Sequence, residues 1–150
     1  MDQNAIISKI EQLTRNLSNK NEILLETCKI LQNEVAHYDW VGFYMLDETE
    51  KMLLLGPYVG KTTEHTLIPI GKGVCGQVAE NKKTMIVQDV SKMENYIACS
   101  LEVQSEIVIP ILKNGNFVAE IDIDSHAFAP FGNNDQHLLE KVANILSQLF

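Results

Sequence analysis

Two apolar runs joined by Asn-Gly constrain this chain more than any other feature. Ile107-Val108-Ile109-Pro110-Ile111-Leu112 leads through Lys113-Asn114-Gly115-Asn116 into Phe117-Val118-Ala119-Glu120-Ile121-Asp122-Ile123-Asp124. Asn and Gly both tolerate the positive φ that a two-residue hairpin turn needs, so the spacing predicts an antiparallel hairpin over 106–124. In its second arm Asp122 and Asp124 alternate with Ile121 and Ile123, which puts both carboxylates on one face of the strand. Glu106 opens the first arm, and pairing of the two arms brings it toward the aspartates. On an outer face such charges are solvated surface. On a ligand face they bind an ammonium group or share a proton.

The other elements follow from periodicity. Ile6, Ile10, Leu13 and Leu17, then Ile23, Leu24, Cys28, Leu31 and Val35, recur at helical spacing on either side of the turn-forming Ser18-Asn19-Lys20-Asn21. From Trp40 the pattern changes to strand-like runs over 40–46 and 52–58, joined by a polar connection short enough for a hairpin. Further strands are expected over 66–70 and 84–87, with a short helix between them that follows Gly73 and ends near Asn81. Segment 89–105 has no clean period and reads as a long, partly helical excursion, a length that compact domains seldom carry without a function. Leu138, Leu139, Val142, Ile145, Leu146 and Leu149 mark a last helix, with Asn133 or Asn134 as its cap. The expected class is α+β: an antiparallel sheet with helices packed on one face.

Composition excludes several functions. A net charge of −8 with no basic cluster argues against nucleic-acid binding, which depends on Lys and Arg neutralising phosphates. The longest apolar runs are far too short to cross a bilayer. The N-terminal Met-Asp-Gln-Asn-Ala lacks the basic and apolar regions of a signal peptide, and three cysteines do not suggest an extracellular disulfide framework. A cytoplasmic protein with free thiols is expected.

The cysteines differ in setting. Cys28 lies on the apolar stripe of its helix and reads as a small core residue. Cys75, in Gly71-Lys72-Gly73-Val74-Cys75-Gly76, stands where a helix starts. Its readings as a thiolate favoured by free backbone N–H groups and as a small residue packed under a loop are equally weighted. Cys99, in Tyr96-Ile97-Ala98-Cys99-Ser100, lies in the long excursion, where function is favoured over packing. The pattern Gly71-x-Gly73-x-x-Gly76 matches a dinucleotide fingerprint by letter. It has neither the preceding parallel strand nor the long following helix, so it reads as a tight loop. His65 reads as an exposed loop residue, His126 and His137 receive no role, and no Cys/His spacing fits a structural zinc site. No metal and no cofactor is expected.

Together, Trp40-Val41-Gly42-Phe43-Tyr44, Gly56-Pro57-Tyr58, Ile68-Pro69-Ile70-Gly71-Lys72-Gly73-Val74-Cys75-Gly76, Ile97-Ala98-Cys99, Ser105-Glu106-Ile107-Val108 and Ile121-Asp122-Ile123-Asp124-Ser125 resemble the free methionine-(R)-sulfoxide reductases, which are single GAF domains. The resemblance runs from about Tyr38 to the C-terminus. It implies a GAF-like sheet flanked by N- and C-terminal helices. The whole of 1–150 is then one domain: N-terminal helices over 1–37, sheet and ligand pocket over 38–132, and the C-terminal helix over 133–150. It further implies a homodimer that reduces free methionine-R-sulfoxide with electrons from thioredoxin. By position Cys99 matches the nucleophile, while Glu106, Asp122 and Asp124 match the residues that bind substrate and polarise its S–O bond. Trp40 and Tyr44 match aromatic positions near the substrate methyl group.

One position departs from that family. A cysteine ten residues before Cys75 is replaced by His65. Regeneration of Cys99 then falls to Cys75, to a small thiol or to thioredoxin directly. The alternative is a noncatalytic GAF module that binds or senses a small molecule.

Overall fold

A six-stranded sheet in the order β3-β2-β1-β6-β5-β4, antiparallel at every neighbouring pair, divides the molecule into two buried layers. The strands are β1 (Trp40–Asp47), β2 (Met52–Val59), β3 (Leu67–Pro69), β4 (Met85–Val87), β5 (Ser105–Lys113) and β6 (Asn116–Ser125). The helices are α1 (Gln3–Asn16), α2 (Lys20–Glu34), α3 (Gly73–Asn81) and α4 (Asn133–Leu146), with 3₁₀ turns at Val90–Lys92 and Ser147–Leu149. The structure is a computed structural model and describes residues 1–49, 51–94, 96 and 101–150.

The expected hairpin forms at the centre of this sheet. Asn114 and Gly115 turn at φ 53° and 80°, and Lys113 faces Asn116 across the turn. Pairing then sets Glu106 opposite Asp124 and Val108 opposite Asp122. On its other edge β6 pairs with β1, so that Trp40 meets Asp124, Gly42 meets Asp122 and Tyr44 meets Glu120.

Strand alternation assigns each side chain to a layer. Val41, Phe43, Ile107, Ile109, Ile121 and Ile123 face α1, α2 and α4, where they pack with Ile6, Ile10, Leu24, Leu31, Leu138 and Val142. Burying each of these side chains contributes about 1.5–3 kcal/mol. Trp40, Tyr44 and Val108 face the other way, with Leu53 and Ile68, against Val74, Cys75 and Val78 of α3. The expectation of helices on one face is therefore corrected: α3 covers the opposite face. The acidic residues of β6 alternate out of the main core only to be buried beneath α3.

Local chemistry fixes the helix ends. The Asp2 and Asn19 side chains accept from the backbone N–H groups of Ala5 and Glu22, capping α1 and α2. At α4 the cap residue is Gly132, not Asn133 or Asn134; its N–H donates to the Asp135 carboxylate at 2.8 Å. That carboxylate also accepts from the Tyr38 hydroxyl and meets His37 Nε2, each at 2.8 Å. One buried acid thereby ties the C-terminal helix to the entry of β1. Burial and the Asp135 charge hold the Tyr38 phenol far above its ordinary pKa.

Candidate functional site

The glycine-rich run 71–76 is a tight turn, as the sequence predicts. Gly71 and Gly73 adopt φ of 92° and 64°, and the Gly71 N–H donates to the Gly76 carbonyl at 2.8 Å. A Cβ on Gly76 would lie 2.5 Å from the Pro69 carbonyl oxygen. This close approach drops the first turn of α3 onto β5 and β6, and Cys75 with it.

Beneath Cys75 lie the carboxyl groups of the hairpin. Cys75 Sγ donates to Glu106 Oε2 at 3.9 Å, and one ligand atom each from Cys75, Glu106 and Asp122 lies within 4.8 Å of the other two. Glu106, Glu120, Asp122 and Asp124 are all buried, at 0–3% exposure. Among the described residues no donor meets either Glu120 oxygen, or Asp122 Oδ1, in hydrogen-bonding geometry. Tyr44, His65, Lys72, Cys75, Glu106 and Asp122 line a cavity of about 10 Å³, the space of about one water. Lys72 is the only lysine or arginine among the described residues lining it. It stands at the N-terminus of α3, the positive end of that helix.

Burial governs the protonation of this cluster. It pushes Glu106 well above the usual carboxyl range, and the charges of Asp122 and Asp124 push the same way. Glu120 is raised by burial and by the Asp122 charge, with the facing Cys75 thiol opposing. Asp122 is raised by burial, with the neighbouring Glu106 and Cys75 opposing. The Cys75 thiol is raised as well, by burial first and then by Asp122, Glu120 and Glu106. Cys75 is buried at the start of α3, among the acids of the hairpin. Burial and mutual repulsion thus both favour the protonated forms in this cluster.

The remaining candidates are distributed around this centre. Tyr44 lines the cavity and its hydroxyl donates to the His65 carbonyl at 2.8 Å. Trp40 lies further along the same sheet face, stacked on Tyr58 with centroids 5.3 Å apart, and its Nε1 donates to the Lys61 carbonyl at 3.0 Å. Asp124 sits one pair beyond Asp122 on that face. Cys28 is in the main core, where its Sγ donates to the Pro57 carbonyl at 3.7 Å and burial pushes the thiol strongly up. His65 is not an exposed loop residue: it is half-buried and lines the cavity. Cys99, the expected nucleophile, lies outside the described residues.

Glu120 and Lys72 are the site residues that sequence reasoning passed over. Glu120 precedes Asp122 by two, so the alternation that paired the aspartates also places it on their face. Lys72 caps the start of α3, just before the expected helix following Gly73.

The GAF domain family model matches residues 19–150. Free methionine-R-sulfoxide reductase of Saccharomyces cerevisiae is 40% identical over 135 residues, covering 89% of this chain and 73% of the yeast protein. The structure of free methionine-R-sulfoxide reductase from Neisseria meningitidis in complex with its substrate superposes with a TM-score of 0.93 at 33% identity, over 99% of this chain and 87% of that one. The reduced form of the Staphylococcus aureus fRMsr gives a TM-score of 0.91 at 32% identity, over 99% and 94%. This chain belongs to the GAF domain family and, within it, to the free methionine-R-sulfoxide reductases.

Proposed function

We propose that the protein reduces free methionine-R-sulfoxide to methionine, with Cys99 as nucleophile. The observation that supports this most is the buried cluster of Glu106, Glu120 and Asp122 under Cys75 and beside the start of α3. Such a cluster suits a small zwitterion that also carries an S–O bond. Ionised carboxylates among Glu106, Asp122 and Asp124 take the ammonium group. Lys72 and the α3 terminus offer the opposite pole to the substrate carboxylate. At about 10 Å³ the cavity is smaller than an amino acid, so binding widens it. Tyr44, with Trp40 further along the face, provides an aromatic wall for the methyl group.

The Cys99 thiolate attacks the sulfoxide sulfur, and a carboxyl group kept protonated by burial, Glu106 in this reading, donates to the oxygen. Transfer of that oxygen leaves methionine and Cys99 sulfenic acid. A second thiol attacks the sulfenic sulfur, forming a disulfide and releasing water. Cys75 is the internal candidate, with neighbouring carboxylates to accept its proton. Thioredoxin is the proposed final reductant and a homodimer the proposed assembly, in the cytoplasm. His65 in the cavity wall motivates the second reading, a binding module without turnover.

Turnover of free methionine-R-sulfoxide with dithiothreitol and with thioredoxin, in wild type and Cys99→Ser, tests the proposal. Methionine is expected from wild type and none from Cys99→Ser. No turnover with either reductant overturns the enzyme reading, whereas turnover that survives Cys99→Ser overturns only the nucleophile.

A further inference from the structure

We propose that Cys75, Glu106, Glu120 and Asp122 form a binding site for a thiophilic divalent cation of the Zn²⁺ class, in the cavity between α3 and the hairpin. The ligand atoms of three of these residues already lie within 4.8 Å of one another, and Cys75 Sγ and Glu106 Oε2 are 3.9 Å apart. Tetrahedral bonds of about 2.3 Å to sulfur and about 2.0–2.2 Å to oxygen hold their ligand atoms roughly 3–4 Å apart, so small side-chain movements suffice. The independent sign of a missing partner is Glu120. It is fully buried beside the Cys75 thiol, whose one proton goes to Glu106 Oε2, and among the described residues no donor reaches either of its oxygens, or Asp122 Oδ1, in bonding geometry. A fully buried acid with nothing to receive its lone pairs is costly unless a proton or a cation joins it.

The donor set selects the ion. One sulfur with carboxylate oxygens suits Zn²⁺ or Co²⁺ better than Mg²⁺ or Ca²⁺, which take oxygen ligands alone. The cavity's present size, about that of one water, also suits an ion better than an amino acid. On binding, the Cys75 S–H bond breaks and a sulfur–metal bond forms, its proton and those held by the coordinating carboxyl groups leave to solvent, and no oxidation state changes. Glu106 and Asp122 cannot hold the cation and an ammonium group together. Given the substrate reading above, the cation therefore competes with methionine-R-sulfoxide; metal binding itself does not depend on that reading.

Co²⁺ titration of the reduced Cys99→Ser protein, followed by absorption, tests the site. One equivalent is expected to produce thiolate-to-cobalt charge transfer together with the visible bands of tetrahedral Co²⁺, and Zn²⁺ to displace both. Cys75→Ser should abolish the charge transfer, and the near-isosteric Glu120→Gln should weaken Co²⁺ binding by about tenfold or more. Circular dichroism confirms that each variant is folded. Absence of charge transfer in Cys99→Ser, or its persistence after Cys75→Ser, overturns the proposal, as does unchanged affinity in a folded Glu120→Gln. None of these readouts involves turnover, so failure here is distinct from failure of the reductase reading.

Discussion

Replacing Glu120 by Gln should stabilise the metal-free protein at neutral pH and flatten its pH dependence. Glu120 is fully buried, no donor among the described residues meets its oxygens in bonding geometry, and its pKa in the folded state is raised by burial and by Asp122. A carboxyl group raised in this way binds its proton more tightly folded than unfolded. Its stabilising contribution is complete below the unfolded-state value of about 4.3 and is lost as pH rises through the folded-state value. While the group is protonated folded and ionised unfolded, stability falls by about 1.4 kcal/mol per pH unit. Glutamine keeps the shape, removes the titration and brings an NH₂ donor toward Asp122 and Glu106. Urea unfolding with a chelator and a thiol reductant, repeated from about pH 5 to 8, measures the slope for both proteins. The variant should lose about one group's share of the slope and be the more stable above neutrality. An unchanged slope, or a variant less stable than wild type at pH 8, would refute the reasoning.

Other substitutions probe neighbouring parts of the structure. A Cβ at Gly42 would lie 2.4 Å from the Trp40 ring and 2.8 Å from Tyr58 Cβ, so Gly42→Ala should cost about 1–3 kcal/mol and raise the KM as Trp40 is displaced. Denaturant melts and steady-state kinetics read the two effects. Asp135→Ala removes the partner of Gly132, Tyr38 and His37 together and should destabilise by about 2–3 kcal/mol, measured by the urea midpoint. Leu31→Ala, in the main core, should cost about 2–5 kcal/mol without changing the turnover of the folded enzyme. If Cys75 resolves the sulfenic acid, Cys75→Ser should keep turnover with dithiothreitol and lose most of it with thioredoxin.

Much of the site was legible because it sits on a hairpin. Asn114-Gly115 fixes the register, and register fixes the meeting of Glu106 with Asp124 and the common face of the acids. What could not be read locally was which side of the sheet those acids face. Alternation separates two faces without saying what covers either, and α3 returns over the acidic one only through the turn at 71–76. That tertiary return explains why Cys75 is buried among carboxyl groups. It also explains why His65, read as a surface loop residue, lines the cavity. The α4 cap was misplaced for a different reason. Asn133 and Asn134 are good cap residues, but the Asp135 side chain satisfies the Gly132 N–H and needs that residue just outside the helix.

The most direct measurement is stereochemical. Racemic methionine sulfoxide, incubated with reduced wild-type protein and dithiothreitol and resolved by chiral chromatography, should lose its R diastereomer to methionine while the S diastereomer stays intact. Peptide-bound methionine-R-sulfoxide, whose ammonium and carboxylate groups are masked, should be left unreduced. Persistence of the free R diastereomer, or equal consumption of R and S, would contradict the assignment of this pocket to free methionine-R-sulfoxide.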